Sequence, residues 1–136
     1  MSRLTEIMET IRKVQGNIMA IDALIDAYRR ENENSSSKIC RYARTIEGAE
    51  KDKRYGLSHE CREAICKEVK AVSKRNKSIK EYECRKAYEQ KKLALLEADA
   101  NQIRKERRER RKKRALRRSG DNRLRTQIRP ISPGTK

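Results

Sequence analysis

Residues Arg104 to Arg118 (RKERRERRKKRALRR) set eleven lysines and arginines against two glutamates, a local net charge of +9. A run this dense attracts phosphates and carboxylates, with an affinity that is indifferent to sequence and falls as salt rises. Arginine-rich helices bind RNA, and short basic runs also serve as nuclear localisation signals. A basic helix docks equally well on an acidic protein surface. No zinc module, aromatic platform or groove-reading motif accompanies the run, so charge alone leaves both partners open. The candidate contacts are Arg104, Arg107, Arg108, Arg110, Arg111, Lys112, Lys113 and Arg114.

Other reactive residue types are sparse. Four cysteines (Cys40, Cys61, Cys66, Cys84) and one histidine (His59) have no paired metal-ligand spacing. Five residues apart on a helix, Cys61 and Cys66 point about 140° away from each other. Reduced, partly buried thiols are expected, with no metal and no cofactor. There is no glycine-rich phosphate loop and no nucleophile beside a base, and carboxylates alternate with Lys and Arg as solvated helix pairs do. A non-enzymatic protein is therefore expected. Four of the five tyrosines sit on or beside apolar stripes where packing accounts for them; Tyr55 alone looks free to meet a partner.

The elements that carry these residues follow from composition. Of 136 residues, 42% are charged and 35% hydrophobic, with no Trp or Phe. That is too little large apolar material for a globule of this length. Both prolines, Pro130 and Pro133, lie in the last seven residues, so long helices are permitted almost everywhere else. No continuous apolar stretch resembles a signal peptide or a membrane span, and a cytoplasmic protein is expected.

One stripe runs Leu4, Ile7, Ile11, Val14, Ile18, Ile21, Ile25, Tyr28, Asn32, Ser35, Ile39, Tyr42, Ile46, Ala49 in a 3-4 rhythm, the heptad seam of a helix that packs on another helix. A second seam runs Cys61, Ile65, Glu68, Val72, Arg75, Ile79, Tyr82, Lys86, Glu89, Leu93, Leu96, Ala100, Ile103. Between them Gly56 offers a left-handed turn and Ser58 an N-cap. Nearly equal arms joined by a short turn predict an all-α fold, a long antiparallel two-helix coiled-coil hairpin.

Folding about position 55 pairs residue i with about 110 − i. The polar positions Asn32 and Ser35 then meet Arg75 and Asn76, which sets register as buried polar groups do in zippers. Lys86 and Glu89 fall opposite Ile21, Leu24 and Ile25, which leaves two readings open: their aliphatic stems cover this surface, or it is a partner-binding patch. Helix continuity through Asn32–Ser37 also stays open.

The expected organisation is a hairpin over 1–118, with helix one about 2–50, a turn about 51–58 and helix two about 59–118. Ser119-Gly120-Asp121-Asn122 is expected to stop the helix, leaving 119–136 as a disordered basic tail. Residues 104–136 hold +12 of the total +17.

Leu4-Thr5-Glu6-Ile7 with Arg12, Tyr28 and Glu31, and Leu57-Ser58-His59-Glu60 at the turn, resemble the central-stalk proteins of bacterial flagellar and type III secretion export (the FliJ/YscO/SpaM group). The architectural likeness covers about residues 1–105, and the strongly basic tail departs from many members. The resemblance implies a non-enzymatic cytoplasmic subunit. Its terminal end, including Leu4, Ile7 and Ile11 with the basic segment, would sit in an export ATPase ring, and its turn would approach the export gate. The alternative is an RNA-binding coiled-coil protein that uses 104–118. A hairpin that forms a homodimer is a further alternative.

Overall fold

The structure, a computed structural model, describes residues 2–128, with side chains described through Gly120. Two helices, α1 (Arg3–Lys51) and α2 (Tyr55–Ile128), make up the fold and pack against each other. No strand occurs among the described residues. Ser2 caps α1: its Oγ accepts the Thr5 amide at 3.2 Å, and Glu6 in the first turn favours the positive end of the helix. Every one of the seam positions named above is buried or half-buried in its helix, while the residues between them are mostly exposed. Burial thus follows the heptad period, which is why so polar a chain folds at all.

Contacts divide the chain into two units, Arg12–Leu93 and Met1–Ile11 with Ala94–Lys136. In the first, Ile21, Ile25 and Ile79 form a core cluster with Tyr28 and Tyr82 packed against it. The two tyrosine rings stack at 6.0 Å between centroids. Ion pairs flank this core: Asp22 with Lys86 at 2.6 Å, Arg29 with Glu83 at 3.3 Å, and Lys38 with Glu68 at 3.7 Å.

Helix α1 passes unbroken through Asn32–Ser37. Each serine costs a few tenths of a kcal/mol of helix propensity. At Ser35 that loss is offset, because its buried hydroxyl accepts a hydrogen bond from Arg75 Nη1 at 2.7 Å. Asn32 Nδ2 donates to Asn76 Oδ1 at 3.0 Å, and Arg75 Nε lies 3.0 Å from Glu31 Oε2. The polar positions expected to face each other do so.

The turn departs from expectation. It is shorter, Asp52 to Arg54, and its left-handed residue is Lys53 (φ 59°), not Gly56. The Lys53 amide bonds the Glu50 carbonyl at 3.1 Å and the Arg54 amide bonds the Ala49 carbonyl at 2.7 Å, the two bonds of a Schellman ending. Gly56 already lies inside α2. Ser58 is not an N-cap but a buried residue one turn into the helix, its amide bonded to the Arg54 carbonyl at 3.2 Å and its hydroxyl set between Glu50 and Arg62. It serves the packing of the turn.

Nor does α2 stop at Ser119–Asn122; it runs to Ile128. One glycine in a helix costs only about 1 kcal/mol, and Gly120 has no positive φ, so nothing forces an ending there. The remainder of the expected tail, 129–136, lies outside the described residues.

Candidate docking site on the basic helix

Residues Arg104 to Ser119 are all exposed and all helical, so the basic run is a charged rod surface rather than a loop. Its first turns lie beside the start of α1. Arg104 Nη2 donates to Met8 Sδ at 3.4 Å, and Leu4 lines a shallow groove with Asn101, Arg104, Arg107, Arg108 and Arg111. The structure therefore brings together Leu4 and four of the predicted cations. Arg110, Lys112, Lys113 and Arg114 are exposed on the same helix.

Three other predicted contacts stand differently. Ile7 is half-buried, and Ile11 is 5% exposed. Ile11 lies on the packed seam of α1 rather than on its open surface. Tyr55 is exposed at the first residue of α2 and belongs to the unit Arg12–Leu93.

The remaining chemistry-bearing residues fall into place around the packing. Cys61 is buried, while Cys40, Cys66 and Cys84 are exposed free thiols, a wetter set than expected. His59 Nε2 lies 3.2 Å from Glu63 Oε1 one turn on, rather than turning to a cysteine. Among the described residues, no group of three or more His, Cys, Asp or Glu is placed to hold a metal, and no helix is long and apolar enough to cross a membrane. Over Ile21 and Ile25 the cover is mixed. Tyr82 packs in, Lys86 pairs with Asp22, Glu89 keeps a buried Oε2 without a hydrogen-bond partner, and Leu24 and Tyr88 remain exposed.

Sequence reasoning missed the groove between Leu4 and the arginines. Its signal was present in the spacing: Arg104, Arg107 and Arg111 repeat at the same intervals as the apolar seam before them. Compared with protein-family models, curated proteins and solved structures, the chain has no match in any of the three.

Proposed function

We propose that this chain is a non-enzymatic assembly protein, an antiparallel coiled-coil hairpin that docks on an acidic protein partner through the basic part of α2. The hairpin reading rests on pairs that descend along α2 as they ascend along α1: Asp22 with Lys86, Arg29 with Glu83, Asn32 with Asn76, Lys38 with Glu68, Glu50 with Arg62. The observation that carries the docking role is the uninterrupted exposure of Arg104 to Ser119 on a helix. Cations held at fixed helical spacing recognise a patterned surface, which a flexible tail would not do.

Within that class, the opening residues and the turn favour a stalk subunit of a cytoplasmic type III export apparatus, its basic end meeting the ATPase ring. The test is co-purification of the full chain with the export ATPase of its source organism. The Arg107→Glu, Arg108→Glu, Arg111→Glu variant is expected to lose the ATPase. Retention by the charge-reversed variant, or absence of secretion genes beside this one, overturns the stalk reading. A second reading, RNA binding by 104–118, is favoured by the same exposed charge; random RNA bound tightly at low salt and released by deletion of 104–136 would establish it.

A further inference from the structure

The basic segment is not uniformly basic. At 3.6 residues per turn, Ala100, Arg104, Arg107, Arg111, Arg114 and Arg118 follow one another at alternating steps of four and three, so they form one stripe along α2. The stripe starts at the buried seam residue Ala100 but passes through Arg104 where the seam itself passes through half-buried Ile103, so it runs beside the seam's own continuation at Arg107, Arg110, Arg114 and Arg117. From Arg104 to Arg118 every position on it is arginine. All three lysines of the segment (Lys105, Lys112, Lys113) and both glutamates (Glu106, Glu109) lie off it, together with three further arginines, Arg108, Arg110 and Arg117.

The exclusion of lysine from a stripe of this charge is informative. A general attraction for polyanions needs cations on any face and is indifferent to Arg or Lys. A planar guanidinium differs from an ammonium in forking onto a carboxylate through two parallel hydrogen bonds, with a stem that packs on apolar neighbours. Seam spacing adds a second requirement, since it matches only a partner whose acceptors recur at the helical period. The chain contains its own small example. Arg75, a seam residue of α2, takes the Glu31 carboxylate of the facing helix at 3.0 Å and the Ser35 hydroxyl at 2.7 Å.

Helix α1 begins at Arg3, and Leu4 faces the stripe at Arg104, Arg107 and Arg111, while Arg114 and Arg118 are exposed further along. We infer that the arginine stripe is the seat of a partner helix carrying Glu or Asp at its own heptad seam positions, laid along α2 on the face that leads on from Ala100. This deepens the docking role proposed above and rests on it: it names the chemistry and periodicity of the acidic partner.

The test uses the full chain and three fluorescent probes: a peptide with Glu at every a and d position, the same composition with those Glu moved to b and f, and polyuridylate. Replacing Arg107, Arg111, Arg114 and Arg118 by Lys keeps the charge, and is expected to weaken the seam-acidic peptide about tenfold. Replacing Lys105, Lys112 and Lys113 by Arg is expected to leave it unchanged, and the shifted peptide to bind more weakly in either background. Equal binding of the two peptides, no loss on Arg→Lys substitution, or polyuridylate bound more tightly than the seam-acidic peptide overturns the inference. Peptide binding retained where ATPase co-purification fails removes the export assignment alone. The reverse result removes the helical partner alone.

Discussion

Arg75 and Ser35, forty residues apart, meet at 2.7 Å, and the serine hydroxyl is almost wholly enclosed at 2% exposure. The same guanidinium touches the Glu31 carbonyl and the Asn32 side chain, so one arginine satisfies several acceptors of the facing helix. Replacement by leucine leaves those acceptors without their donor while the site stays closed. Arg75→Leu is expected to destabilise the fold by about 2 kcal/mol, measured by urea unfolding followed by circular dichroism. Adding Ser35→Ala removes the stranded hydroxyl and should return part of the loss. A double variant whose losses simply add would show that the two residues are not coupled.

The apolar cluster makes a separate prediction. Ile25 is 4% exposed and packs with Ile21 and Ile79, whereas Leu24 beside it is 43% exposed. Ile25→Ala removes buried carbon atoms and leaves a cavity, at a cost of about 2–4 kcal/mol. Leu24→Ala removes carbon atoms that are already half in water and should cost well under 1 kcal/mol. Similar unfolding midpoints for the two variants would contradict this packing.

Heptad spacing made the two helices, their covered faces and the meeting of Asn32 and Ser35 with Arg75 and Asn76 legible before any coordinates. These features repeat over many turns, and a repeated pattern survives local exceptions. The ends were not legible, because each depends on a single competition. Lys53 occupies the left-handed position although Gly56 lies three residues away, since the Schellman bonds to Ala49 and Glu50 select the residue by register rather than by type. Ser58 has the composition of a cap, but Arg54 already supplies the first carbonyl of α2. For the docking site, the charge of 104–118 was evident; the groove with Leu4 was not, because it depends on how far α1 reaches along α2.

The turn supplies a prediction of opposite sign to the usual one for glycine. Lys53→Gly relieves a left-handed backbone that disfavours side chains, and should stabilise by about 1 kcal/mol. Gly56→Ala should also stabilise, by about 0.5 kcal/mol, because Gly56 is helical and a methyl group there meets nothing within 4 Å. Had Gly56 been the left-handed residue, the alanine would destabilise. Thermal unfolding of the two variants thus reads out which residue turns the chain.

Helix direction is open to a direct chemical test within each unit. An antiparallel hairpin pairs Ile46 with Ile65 near the turn and Ile7 with Ile103 among the terminal residues, all four half-buried seam positions. In a background with Cys40, Cys61, Cys66 and Cys84 replaced by serine or alanine, either cysteine pair should oxidise within one chain. Non-reducing electrophoresis would show a monomer of altered mobility. A parallel or extended dimer places the same pairs far apart in one chain and yields crosslinked dimers instead. The Ile7/Ile103 pair carries more weight for function, because it reports whether the start of α1 lies along α2 just before Arg104. If that pair fails while Ile46/Ile65 closes, the groove of Leu4 with Arg104, Arg107 and Arg111 is not formed in solution. Docking would then have to proceed on α2 alone.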